Sequence, residues 1–274
     1  MNAEILITPF RVPVYNTGED EVKKEIINRV ALIDADRYKH VVTYRVYQKI
    51  MDEGHEHSKA LVNEQIDNYL AKDIFNCFEA TAYVFCFSAP SKDVFRNSIA
   101  QEKKYKGNRE GRKDPNFYTN KYDDMKYIYD YISSRYQTLI YNDLEADDLL
   151  SILQNGQTFI FSHDKDLKQV PGFHWDIDKG RLIQVDDNQG IHSLMCQLLI
   201  GDGVDNIPGL KGFGEKAELD RLNNEEILTL IFNDEFSIKE QVSDISGRGI
   251  GMSSVKEELE KISGTFTIYS EVNK

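Results

Sequence analysis

Four short apolar runs limit what this chain can fold into. Val30–Ile33 (VALI), Tyr83–Phe87 (YVFCF), Thr138–Tyr141 (TLIY) and Thr158–Phe161 (TFIF) have the length of buried strands and are too short for buried helices. Helix-like segments separate them. Val62 to Phe78 repeats apolar residues at Ile66, Tyr69, Leu70, Ile74 and Phe78, and Asn97–Lys106, Tyr122–Tyr136 and Glu145–Leu153 also read as helical. Strands alternating with helices predict an α/β protein with a central, mostly parallel sheet and flanking helices. Later, a hairpin around Asp178-Lys179-Gly180 joins Phe173–Ile177 to Arg181–Val185. A helix follows over Ser193–Ile200, and residues beyond Glu215 read mainly as helix until Thr265–Tyr269. Ile5 to Ile7 would suit an edge strand.

Acids follow these runs. Asp34 and Asp36 close the first, and Asp164 and Asp166 come just after the last. Glu145, Asp147 and Asp148 open a helix, and Asp202 and Asp205 follow Leu198-Leu199-Ile200. In an extended segment, positions i and i+2 share a face, so Asp34 and Asp36 are expected to project together. Open α/β sheets bind ligands beyond the carboxyl ends of their strands. Taken singly, each group has an ordinary reading as helix-dipole or loop acids. Gathered at one edge, they would repel and protonate unless cations neutralised them. Mg²⁺ or Mn²⁺, hard ions preferring oxygen, are the natural partners. Two such ions ~3.5–4 Å apart activate water and stabilise the leaving oxygen of a phosphodiester.

Leu199–Ala217, LIGDGVDNIPGLKGFGEKA, continues from the last pair of acids into a turn with Pro208, Gly209, Gly212, Gly214 and Lys216. Glycines let backbone N–H groups approach a ligand, and a helix starting near Glu215 would favour a phosphate. The net charge of −13 argues against a polyanionic partner, yet Lys92–Lys113 is locally basic. Lys92, Arg96, Lys103, Lys104, Lys106, Arg109, Arg112 and Lys113 outnumber the acids there. Screening beyond ~8–10 Å lets such a patch hold phosphates on an acidic protein. Cys77, Cys86 and Cys196 have no metal-ligand spacing and read as reduced core thiols of an intracellular, cytoplasmic protein. Neither a signal peptide nor a bilayer-spanning run is recognised.

In order, LIDAD, VFRNSIAQEKKYKGNR, EADDLL, SHDKDLKQ and GDGVDNIPGLKGFGEKA resemble the 5′-nuclease superfamily, the flap endonucleases and 5′→3′ exonucleases of phage and bacterial type. The resemblance implies a PIN-like nuclease domain over residues 30–200 with a helical arch at about 88–135. A helix–three-turn–helix region and tail would occupy 201–274, and residues 1–29 would be an extension. It implies metal ligation by Asp34, Glu145, Asp147, Asp164, Asp166, Asp202 and Asp205, with Asp148 ranking lower. Lys106 and Arg109 match the arch cations that press on the scissile phosphate, and Arg96 the family's FR pair. DNA contacts would come from Arg96, Lys103, Lys104 and the turn Gly209, Gly212, Gly214 and Lys216, where a K⁺ ion is expected among carbonyls. The expected substrates are DNA flaps, nicks and 5′ ends or RNA–DNA junctions, in replication, primer removal or repair beside replication proteins.

This chain departs from the family twice. Asp34 is followed by Ala35 where glycine is usual. The second strand ends in Phe87-Ser88-Ala89-Pro90 where an aspartate is usual. Asp36 is the expected replacement ligand. The missing carboxylate also leaves open a DNA-binding protein with weakened or lost cleavage, and the fold leaves open a PIN-like ribonuclease.

Overall fold

The computed structural model describes residues 25–100, 104–109, 111, 114–209, 222, 226–227 and 261. The chain divides into two compact units, Met1–Ile99 with Gly111–Val185, and Ala100–Glu110 with Asp186–Lys274.

The first unit is built on six strands: β1 (Glu25–Asp34), β2 (Phe78–Phe87), β3 (Gln137–Ile140), β4 (Thr158–Phe161), β5 (Gly172–Asp176) and β6 (Arg181–Val185). They lie in the order β3-β2-β1-β4-β5-β6. All neighbours are parallel except the β5–β6 hairpin. The chain winds outward from β1 through β2 and β3, then crosses back to place β4 on the other side of β1. The β1/β4 seam is therefore the switch point, where an open sheet leaves a crevice beyond its strand ends.

Residue parity sorts the core into two layers, because successive side chains point to opposite faces of a strand. Ala31, Ile33, Tyr83, Phe85, Phe87, Phe159 and Phe161 share one buried cluster with α1 (Asp36–Met51), α2 (Lys59–Leu70) and α4 (Lys121–Ser133). Leu32, Val84, Cys86 and Ile160 share the other with α5 (Ala146–Leu153). Burial on both faces explains why these strands read as unbroken apolar runs.

Several boundaries move. β1 begins at Glu25, ahead of Val30. The helix expected over Val62–Phe78 stops at Leu70. Residues Ala71–Phe75 then take a wider turn, in which Asn76 N–H donates to the Ala71 carbonyl at 2.8 Å, and Phe78 opens β2. Of the helix expected over Asn97–Lys106, the described residues keep α3 (Arg96–Ile99), and residues 101–103 lie outside them. Ile99, at the end of α3, is 62% exposed, so packing gives the helix little support there. Asp36 is also not extended: β1 ends at Asp34 and Asp36 is the first residue of α1. The shared-face expectation for Asp34 and Asp36 therefore fails.

In the second unit, α6 (Asp187–Ile200) starts earlier than Ser193 because Asp186 caps it. Gln189 N–H donates to Asp186 Oδ1 at 2.8 Å, and the Gln189 side chain returns the bond to Asp186 N–H at 3.0 Å. Gly201, at φ +75°, ends the helix. The chain then pairs β7 (Gly201–Asp202) antiparallel with β8 (Ile207–Pro208). Cys196, Leu199 and Ile227 form this unit's described core. The readings for Ile5–Ile7, beyond Glu215 and at Thr265–Tyr269 lie outside the described residues, as do Lys103, Gly212, Gly214 and Lys216.

Candidate active site

Parity also places the first acid. Asp34 follows Leu32 on the α5 face of β1, and Ser162 follows Ile160 on the same face beyond β4. Across the switch-point seam, Ser162 Oγ donates to Asp34 Oδ2 at 2.9 Å. Ser162 Oγ in turn accepts Asp164 N–H at 3.0 Å, and Asp164 Oδ1 accepts Asp166 N–H at 2.8 Å. Asp34, Ser162, Asp164 and Asp166 are thus linked in one chain of hydrogen bonds. Burial raises the Asp34 carboxyl to about 6, against the opposing bond from Ser162, and the negative charges of Asp36 and Asp164 add to the rise. Ionised Asp34 is a charge for which its surroundings supply too little compensation.

Glu145 and Asp148 stand at the start of α5, where Asp148 Oδ2 accepts Glu145 N–H at 2.9 Å. The segment after β2 holds that helix start in place. Ala89 N–H donates to the Leu144 carbonyl at 2.9 Å, and Ser88 Oγ accepts Ala146 N–H at 2.8 Å. Arg96 forks onto Asp148 with two bonds of 2.7 Å and reaches Glu145 Oε2 at 3.0 Å. A bidentate guanidinium–carboxylate pair is among the stronger polar contacts. Asp148 therefore acts as cap and anchor. Asp147 lies on the first turn of α5.

Ser88, where an aspartate was expected, caps α5 and through its N–H donates to Asp36 Oδ2 at 3.2 Å. Asp36 Oδ1 lies 2.5 Å from Lys39 Nζ, without the alignment of a hydrogen bond. The chain supplies this acid with its own cation. Among the described residues, no three metal-ligating side chains are gathered as a finished cage. Hard oxygen donors and the under-compensated Asp34 suit a divalent ion in chemistry, without a preformed coordination shell.

In the second unit, Asp202 Oδ1 accepts Val204 N–H at 2.8 Å, forming a local turn. Asp205 Oδ2 accepts the Tyr105 hydroxyl at 3.0 Å, and Asp205 Oδ1 lies 3.8 Å from Lys106 Nζ. Gly209 is obligatory here: a Cβ would come within 1.9 Å of the Ile200 carbonyl oxygen. Arg109 closes a short helical turn, Gly107–Arg109. Sequence reasoning missed Ser162, Ser88 and Tyr105 as working residues. Ser162 and Tyr105 stand inside the quoted motifs and Ser88 in the departing stretch Phe87–Pro90, but neutral hydroxyls carry no charge pattern to single them out.

No family model matches the chain. Among solved structures it resembles the bacteriophage T5 D15 protein co-crystallised with metal ions. The TM-score is 0.51 at 16% identity, over 77% of this chain and 81% of that one. A T5 D15 flap endonuclease pseudo-enzyme–product complex with DNA and metal ions aligns at 0.49 and 16% identity, over 84% and 85%. The chain has the 5′-nuclease fold.

Sequence relatives of another kind match shorter pieces of the chain. The chemotaxis protein CheA of Klebsiella aerogenes is 35% identical over 99 residues, 35% of this chain and 15% of CheA. CheA of Borreliella burgdorferi is 47% identical over 47 residues, 17% of this chain and 5% of its own length. The chain thus spans at most 15% of these CheA proteins. A 99-residue match cannot contain a 5′-nuclease sheet whose strands run from Glu25 to Val185. No helix among the described residues is long and apolar enough to cross a membrane.

Proposed function

We propose that this protein is a metal-dependent, structure-selective 5′-nuclease that hydrolyses DNA phosphodiesters near 5′ ends, flaps or nicks. The observation carrying the reading is the acid chain at the β1/β4 switch point, where Asp34 is bonded to Ser162 and meets no cation among the described residues. Asp34, Glu145, Asp147, Asp164 and Asp166 would hold Mg²⁺ or Mn²⁺, as a pair of ions in the two-metal scheme. A bound ion would supply an activated water and charge stabilisation at the leaving oxygen. The chain's own part is distinct from the metal's. Arg96 fixes Glu145, Lys106 and Arg109 offer cations to the charge that develops on phosphorus, and the turn at Gly209 grips duplex backbone. Such contacts position DNA without reading its sequence, so selectivity is for structure.

Ser88 favours a second reading. With its hydroxyl committed to the α5 cap in place of a carboxylate, the protein would bind flap DNA and cleave weakly or not at all. Labelled flap, nicked, blunt and RNA–DNA substrates, given Mg²⁺, Mn²⁺ or chelator, separate the two, with Asp166→Asn as control. Metal-dependent product lost in Asp166→Asn upholds the nuclease. Tight flap binding without product, even in Mn²⁺, upholds the second reading.

A further inference from the structure

Within the second unit, the segment carrying Lys106 is laced to the β7–β8 turn by contacts that span about a hundred residues of sequence. Lys106 N–H donates to the Asp205 carbonyl at 3.2 Å, and the Tyr105 hydroxyl donates to Asp205 Oδ2 at 3.0 Å. Asn108 Nδ2 donates to the Gly203 carbonyl at 2.6 Å, and Asn206 Nδ2 to the Lys104 carbonyl at 3.1 Å. Bonds run in both directions, so neither strand of this clasp can shift alone. Both Lys106 and Asn206 are left-handed, at φ +53° and +64°. For lysine this costs roughly 1–2 kcal/mol and persists only where surroundings enforce it. Gly107 fits the same bend, since a Cβ there would lie 3.0 Å from Lys104 Cβ.

We infer that Tyr105 and Asn206 are positioning residues: they moor the Lys106 loop to the β7–β8 turn and so fix where the Lys106 ammonium is held. The inference rests on the nuclease reading for what Lys106 does, though not for the mooring itself. Tyr105 works through its hydroxyl, on the carboxylate that also faces Lys106, and Asn206 through its amide on the residue two before Lys106. Lys106 would then keep its aim while the turn engages the duplex.

Tyr105→Phe removes the hydroxyl and keeps the ring, so any stacking on a base survives. Asn206→Gly removes the amide and keeps the left-handed backbone accessible. Each is expected to lower kcat about tenfold on flap DNA with KM within twofold. In a Lys106→Ala background, each should cost almost nothing further, because coupled residues are not additive. Unchanged kcat, or an equal loss in the Lys106→Ala background, overturns the inference. If the wild-type protein proves not to cleave, hydrogen exchange decides the matter alone. Faster exchange of the Lys106 amide in both variants upholds the mooring, and unchanged exchange refutes it.

Discussion

Asp34 and Asp205 are the same side chain in opposite circumstances. Asp34 sits at the sheet's switch point with neutral partners, the Ser162 hydroxyl and the Asp36 backbone N–H, among acids, and its carboxyl is raised to about 6 by burial and those acidic neighbours. Asp205 accepts the Tyr105 hydroxyl and faces the Lys106 ammonium. Asp205 has its counter-charge built into the chain, and Asp34 finds none among the described residues. The contrast separates acids that organise the protein from acids that ask for an external cation. Asp36 with Lys39, and Asp148 with Arg96, belong with Asp205.

The sharpest way to break this contrast is to neutralise each acid. Asp34→Asn should lower turnover at least ~100-fold, the scale of losing a transition-state electrostatic group. The same change should raise the melting temperature of metal-free protein at pH 8, because a half-buried charge that the described residues leave unbalanced is gone. Asp205→Asn should lower the melting temperature, since Tyr105 and Lys106 lose their partner. Equal signs in the two variants would dissolve the distinction.

Gly209→Ala tests the second unit. A methyl directed within 1.9 Å of the Ile200 carbonyl must displace backbone. The expected cost is about 2–3 kcal/mol, in the range of overpacking, with weakened flap binding in a gel-shift assay. Arg96→Ala should cost about 2 kcal/mol in chemical denaturation and lower kcat, because the Glu145 anchor goes. Arg96→Lys should not restore either, since an ammonium cannot make the two 2.7 Å bonds to Asp148.

The last effect is in pH. Asp34 rises from 3.8 to about 6 on folding, so between those values the folded chain holds a proton that the unfolded chain has released. Below about pH 3.8 both are protonated and the group contributes nothing to the difference. Its contribution should therefore become progressively destabilising from about pH 4 to about pH 6 in metal-free protein, then level off. Denaturation of the wild type against Asp34→Asn across that window isolates the Asp34 contribution.

Much of this was legible in the sequence, for identifiable reasons. VALI, YVFCF and TFIF are buried on both faces, so strand existence is readable from apolar runs alone, and TFIF coincides with β4 at Thr158–Phe161. Helix ends were less legible because caps and unusual turns decide them. Asp186 extended α6 backward, and the wide turn at Ala71–Phe75 cut a periodic pattern short. At the site, charge made Asp34, Glu145 and Asp166 conspicuous. The partners that give each acid its character were hidden: Ser162 is uncharged, and Tyr105 meets Asp205 only after the chain has folded across about a hundred residues. Asp36 shows the limit of periodicity, since it lies two residues past the end of the strand and already opens a helix.

Titration of Mn²⁺ into wild-type protein and Asp34→Asn, followed by calorimetry with flap cleavage recorded in the same samples, tests the central claim most directly. The account predicts saturable Mn²⁺ binding that weakens at least tenfold in Asp34→Asn, with cleavage lost in parallel. Equal Mn²⁺ affinity in both proteins, or cleavage that persists in chelator, would contradict it.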